Sequence, residues 1–536
     1  MTAIAPYRPP SAPGKAGFAQ ALRAEWTKFR TVRGWLVGVL AGVLLMIGVG
    51  VLGAEGGGSS CQAVGAQGQG SGGSCGTGIS FTLGPGGEPV SDSFYFVRQP
   101  LSGDGTVTVR LTSLTGLVQG PLSPQGNGNP AVPGVAAWAK AGLIIKANLT
   151  QGSAYAALMV AAGHGVRLQW NYTGDTAGLP GTVGPASPRW LRLARSGDVI
   201  TGYDSADGTH WSPVAAVTLA GLPATAQVGL FAASPDEVQA NQGFGGGENG
   251  FGGPTQDTAV FDHLATSGGW TAGAWTGQYV GSPEVAGTGG YHQAGGQFTV
   301  TGQGDIAPVP AGHNGGPADP AHTLSDYLTG TFAVILAVVV VAALFIAAEY
   351  RRGLIRLTLA ATPSRGRVLA AKSVVVAVAG FVTGLAGAAV AVLVGHALTV
   401  AGGHYAFPVS GAVEARVIVG TGVLAAFASV LALAIGTIVR RSAATVVVVI
   451  VVIVIPYFLA EFAAVPLGAG DWLLRLLPAA GFALQQPYPA YQQVTALYAP
   501  FSGYFPLSPL AGFGVLAAWT AAALALAAYL LRRRDA

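Results

Sequence analysis

Six stretches of this chain carry no Asp, Glu, Lys or Arg for long enough to cross a bilayer, which takes about 20 apolar residues: 34–54, 327–348, 373–399, 417–439, 442–460 and 510–531. Each predicts a membrane-spanning helix. Residues 55–325 contain no such run. From 94 onward, short stretches there alternate apolar and polar residues between turn signals: 94–98, 106–112, 139–146, 155–161, 166–172, 190–195, 199–204, 226–232 and 258–264. Strands spaced in this way predict a sandwich or barrel. The expected fold is an α-helical six-span membrane protein with a large inserted all-β extracellular sandwich.

Composition agrees with this reading. The chain is 51% hydrophobic and only 9% charged, with a mean hydropathy of +0.50, which excludes an ordinary soluble protein. The formal charge of +4 comes from clusters at span ends and points to no nucleic acid. Arg23, Lys28, Arg30 and Arg33 precede the first run, and Arg351, Arg352, Arg356, Arg365, Arg367 and Lys372 follow the second. Arg440 and Arg441 separate the fourth and fifth, and Arg532, Arg533 and Arg534 close the chain. Basic residues stay on the cytoplasmic side. Both termini are therefore expected inside a plasma membrane and residues 55–325 outside. A cleaved signal peptide is the alternative at 34–54, but the run exceeds a usual h-region and follows a long basic leader.

The expected organisation is a cytoplasmic segment at 1–33, spans at 34–54, 327–348, 373–399, 417–439, 442–463 and 510–531, and a cytoplasmic loop at 349–372. Outside lie a Gly/Ser-rich loop at 55–84, the β domain at 85–265, a Gly/Pro-rich stalk with short strands at 266–326 and a semi-apolar hairpin at 464–509; 532–536 form the tail. Cys61 and Cys75 are the only cysteines. One disulfide suits an oxidising compartment; two free thiols are the alternative, and neither leaves a thiolate metal site.

In the β domain, Asp104, Asp175, Asp198, Asp204 and Asp207 mostly sit beside Gly, where turns need them, so no catalytic carboxylate pair is assigned. Trp170, Tyr172, Tyr203 and Trp211 are candidates for stacking on a glycan. Aromatic strand residues are otherwise core. No P-loop occurs, so the chain holds no cofactor of its own. No Lys, Arg or Asp lies inside a hydrophobic run to mark an ion pathway.

Phe18, Leu22, Trp26 and Phe29 recur at helical spacing before the first span, with Arg, Lys and Glu elsewhere. They predict an amphipathic interface helix along the inner leaflet. The loop after the second span carries Glu349, Gly353, Leu357, Pro363, Arg365, Arg367 and Lys372. An acidic residue at the span end, Gly four residues on, a Leu-rich segment, then Pro-x-Arg and Lys resembles the first cytoplasmic loop of ABC-2 type (type V exporter) permeases of bacterial, actinobacterial type. That resemblance implies a coupling helix at 354–361, contact of the loop with a separate cytoplasmic ABC ATPase that binds ATP and Mg, and a homodimer or heterodimer of permeases working on membrane lipid or another substrate. It also implies a re-entrant hairpin before the last span. Residues 85–265, through 138–144, 190–211 and 228–231, resemble concanavalin A-like, laminin-G-type jelly rolls. A membrane-anchored carbohydrate-binding or sensing protein is the alternative function.

Overall fold

A computed structural model describes residues 17–56, 82–120, 131–242, 248–271, 273–283, 288–311, 321–351, 353, 364–402, 405–462, 464–496 and 498–533. Cys61 and Cys75 lie outside the described residues.

Among the described residues the polar insert folds as a 14-stranded antiparallel sheet with two two-stranded ribbons beside it, Val90–Asp92 with Ile306–Pro308 and Glu237–Gln242 with Glu248–Gly253. Its main path runs Ser212–Thr218, Val199–Ser205, Arg189–Ser196, Phe94–Gln119, Thr225–Ala233, Lys140–Lys146, Tyr155–Ala161, Gly165–Trp170 and Gly174–Ala177. The two ends of this path approach each other, and the Leu179 amide donates to the Asp204 carboxylate at 2.6 Å, so the sheet nearly closes on itself. Alternate residues such as Val107, Val109, Leu143, Ile145, Leu158 and Leu191 fill its core. On the opposite face of the central strands, Phe94, Phe96, Ile144, Tyr155 and Phe231 form a second cluster. Covered on both sides, Lys140–Lys146 and Tyr155–Ala161 are buried along their whole length.

Two expectations change here. The separate strands 94–98 and 106–112 are one 26-residue strand, which pairs with Thr225–Ala233 through Ser102 and with Arg189–Ser196 from Gly105. Gly103, at φ +71, supplies the left-handed residue that lets the strand change partners without ending. The stalk also begins later than 266. Thr276–Val280 pairs with the long strand, and Gly290–Ala294 with Gln297–Gly302 extends the sheet through Gln256–Trp270. Those residues belong to the β domain because Phe298 and Val300 drop into its core.

Helix α1 (Phe18–Thr31) leads into α2 (Arg33–Gly56). After the sheet come the short α3 (Leu324–Tyr327), then α4 (Thr331–Arg351), α5 (Arg365–Ala401), α6 (Gly411–Val439), α7 (Ser442–Glu461), α8 (Leu467–Leu476) and α9 (Pro509–Arg533). Among the described residues six helical stretches are long and apolar enough to span a membrane: α2, α3–α4, α5, α6, α7 and α9. Within α7 the residues Ile450–Val454 form a π turn, and the Ile455 amide bonds the Ile450 carbonyl. Pro456 follows directly; lacking an N–H it cannot continue the α ladder, and the wider turn absorbs the break.

Between α7 and α9 the chain folds back. Pro478–Gln485 is a buried 3₁₀ turn, with Phe482 stacked 4.0 Å from Tyr457. Gln485 donates from its side-chain nitrogen to Thr331 at 2.8 Å and Thr421 at 3.0 Å, so its amide is satisfied inside an apolar bundle. This segment also carries the sheet. The Tyr504 hydroxyl accepts from the Ala311 amide at 2.9 Å, and Gln493 donates to the carbonyls of Tyr172 and Thr173.

Candidate coupling site

The end of the bundle opposite the sheet is organised by four charges. In α1, which contains neither Gly nor Pro, Glu25 and Phe29 are the buried residues. Phe29 lies 5.9 Å from Phe345 and 5.7 Å from Trp35, and Trp35 lies 5.2 Å from Phe345, which wedges α1 between α2 and α4. Glu25 thereby faces into the protein. Its carboxylate accepts from Lys372 at 2.6 Å and Lys28 at 2.8 Å, while one oxygen of Glu349 accepts from Lys372 at 2.7 Å and Lys28 at 2.9 Å. Glu25, Glu349 and Lys372 are 3%, 6% and 1% exposed. Two carboxylates and two ammonium groups thus neutralise one another across α1, α4 and α5.

Physical accounting explains why all four are needed. A buried ion costs several kcal/mol unless paired, and Lys372 gains a further partner in the Phe345 ring, 4.6 Å from its ammonium. For Lys28, partial burial works against the charge, but hydrogen bonds to Glu25 and Glu349 outweigh it and raise its pKa. The second oxygen of Glu349 is buried with no hydrogen-bond partner among the described residues.

This corrects the sequence reading of Lys372 and Glu349. Both were expected in a loop that contacts an ATPase, but both are buried and present no surface to a partner. Helix α5 starts at Arg365, before its hydrophobic run, so Lys372 lies inside the helix and inside the protein. The stripe on α1 also differs. Phe29 is buried and Leu22 half-buried, but Phe18 and Trp26 are over 40% exposed, and Glu25 occupies the inward face. Helical spacing identified the helix; only the partner charge on α5, 347 positions away, explains a carboxylate on its buried side.

The other loop residues divide. Gly353 takes φ +65 just beyond α4, the left-handed conformation that commonly ends a helix. Arg365 donates to the Leu531 carbonyl at 2.5 Å and so caps the C-terminus of α9, where unpaired carbonyls and the helix dipole favour a cation. Arg367 is exposed at the start of α5. Leu357, Pro363 and the expected coupling helix at 354–361 lie outside the described residues. Arg440, at the left-handed end of α6, sits 5.1 Å over the Tyr350 ring, tying α6 to the same corner.

In the sheet, the glycan candidates do not share a platform. Tyr172 is wholly buried and donates to Asp92 at 2.7 Å, so its ring presents no face. Trp170 packs against the core. Tyr203 and Trp211 are half-buried, with the Arg192 guanidinium 3.9 Å over Trp211. The carboxylates hold structure: Asp104 takes the Gly197 amide, Asp198 the Gly221 amide, Asp207 those of Thr209 and His210, and Asp175 pairs with Arg167. Sequence reasoning passed over the buried pairs Lys146–Asp92 and Lys140–Asp305. Lys at both ends of an otherwise apolar strand was their signal.

A family model described as "ABC-2 family transporter protein" matches residues 201–536. No curated protein matches the chain. Among solved structures, similarity is found to a functionally unknown protein from Saccharomyces cerevisiae, with 17% identity over 34% of this chain and 76% of that one, at a TM-score of 0.20. A scytalido-glutamic peptidase with a transition-state analogue inhibitor gives 10% identity over 41% of this chain and 100% of that one, at 0.23. A second structure of that peptidase, with a peptide-based analogue, gives 9% over 41% and 100%, at 0.22. Such scores carry no functional argument. The family match spans the second half of the sheet and every helix from α3 onward, more than half of the sequence, and on that ground the chain belongs to the ABC-2 transporter family.

Proposed function

We propose that this ABC transporter permease takes its energy from a separate cytoplasmic ATPase, which binds ATP and Mg, and uses it to export a substrate through paired copies of the six-helix bundle. The observation that carries the reading is the neutral four-charge knot, which joins α1 to α4 and α5, the two helices that the expected coupling loop connects in sequence. A force applied to that loop or to α1 cannot move one helix alone without separating buried charges. The knot is therefore a transmission element and the loop its handle. The exposed arginines at this end, among them Arg23, Arg30, Arg351, Arg367 and Arg441, support a cytoplasmic position for it, and an extracellular sheet is part of the same proposal. Exposed Phe18 and Trp26 then lie toward the inner leaflet as the interface helix requires.

The test is copurification in mild detergent from the native host, with ATPase activity assayed. An ATPase should accompany the wild-type chain and be lost when 354–363 is replaced by a Gly/Ser linker of equal length. A preparation without any ATPase would overturn the proposal.

A further inference from the structure

Where the neck, residues 309–311 and 321–323 between the sheet and α3, meets the bundle there is a cavity of about 140 Å³ bounded by His322 of the neck, α3, α5, the segment before α6 and the first turn of α6. It is too small for a drug-sized ligand, which takes roughly 300–1,000 Å³. Its polar groups are His322, His396 and Glu414, and rings of Tyr327 and Phe407 contribute to the apolar wall. The walls are fixed. The Phe407 amide donates to the His322 carbonyl at 2.8 Å, and the Tyr327 hydroxyl donates to Thr399 at 3.0 Å. Among the described residues no three acidic, Cys or His side chains converge as metal ligands; the two imidazoles and the carboxylate come from three separate elements, His322 before α3, His396 on α5 and Glu414 on α6.

Position selects the ligand class. The cavity lies at the sheet end of α5, and Leu393, also on its wall, is 68% exposed on the flank of this membrane-spanning helix. An occupant can place its head among the ionisable groups and its chains against that flank. A carboxylate disfavours a purely anionic head, while a donor imidazole on a different helix of the wall gives a phosphate a partner. We propose that the cavity binds the headgroup of a zwitterionic aminophospholipid, with Glu414 accepting from the primary ammonium and His396 donating to the phosphate. Such a lipid sits at the joint between neck and bundle, away from the charge knot, and holds the two together.

The test uses the full-length chain in nanodiscs of phosphatidylglycerol doped with phosphatidylethanolamine or phosphatidylcholine, with retained lipid counted by native mass spectrometry after detergent extraction. Phosphatidylethanolamine should be retained preferentially. Losing a charged hydrogen bond is worth about 1.5–3 kcal/mol, so Glu414→Gln and His396→Ala should each lower retention about tenfold or more. Because His396 is exposed, its variant tests the site without disturbing the fold. Glu414→Lys should turn the preference toward phosphatidylglycerol. Equal retention of the three lipids, or a preference unchanged in the variants, would overturn the proposal. So would displacement by free phosphoethanolamine at matched concentration, which would assign the cavity to a soluble ligand.

Discussion

Asp257 shows what a single buried group can do to the whole sheet. It is 0% exposed, and neither carboxylate oxygen has a hydrogen-bond partner among the described residues. Burial pushes its pKa well above the usual carboxylate range, so the folded protein holds a proton there that the unfolded chain releases. The folded pKa is raised, and stability must fall as pH climbs through and beyond the ordinary Asp value. Asp257→Asn keeps the shape without that penalty. It should raise the melting temperature at neutral pH and flatten the decline above about pH 4, as read by scanning fluorimetry across pH. At the sheet surface the sign is opposite for Asp207, whose pKa is lowered by the His210 side chain and by backbone amides. Its contribution is present above the ordinary Asp value and lost as pH falls. His210 is raised by that same contact; an NMR titration should place its midpoint above about 6.5 and return it toward that value in Asp207→Asn. The turn role of Asp207 was readable from adjacent Gly208. The ring of Tyr172 was not readable as buried, because the expected strand 166–172 ends at Trp170 and Tyr172 lies in the turn beyond it at φ +64, where period-two alternation no longer tells which way a side chain faces.

At the scale of elements, α1, α4 and α5 form one mechanical piece. Removing one member of a buried pair costs about 3–5 kcal/mol because its partner is left charged and dry. Lys372→Met should therefore destabilise by about that amount and abolish transport-coupled ATPase stimulation. Adding Glu349→Gln should recover part of the stability, since one stranded carboxylate is removed. A double-mutant cycle by thermal unfolding in detergent measures the coupling, and additive losses would remove the case for a single knot. The six spans were legible because twenty apolar residues in a row have few other uses. Where those helices start was less so: α5 begins eight residues before its hydrophobic run, and polar residues at a helix start are the same types that make loops. The knot was illegible for a related reason. Nothing local to Glu25 announces a lysine 347 positions later.

For the molecule as a whole, the placement of the sheet relative to the basic end is the central expectation. In intact cells carrying a Cys61→Ser and Cys75→Ser background, Thr209→Cys should react with an impermeant maleimide, whereas Arg30→Cys should react only after permeabilisation. The reverse pattern would invert the topology. Short strands past 265 were legible, but not their membership of the sheet, because Gly-rich text, which ordinarily signals a linker, here supplies the turn of the hairpin between Gly290 and Gly302, which joins the sheet through Gln256–Trp270.

The joint between sheet and bundle has a consequence for how this protein can change. Gln493 and Tyr504 hold the neck and sheet through main-chain atoms of Tyr172, Thr173 and Ala311, and no ion pair among the described residues links the two parts. Main-chain groups are the same whatever side chain a position carries. The outer surface of the sheet is thus free to drift in sequence, and to follow whatever its surroundings select, while its seat on the transporter stays unchanged.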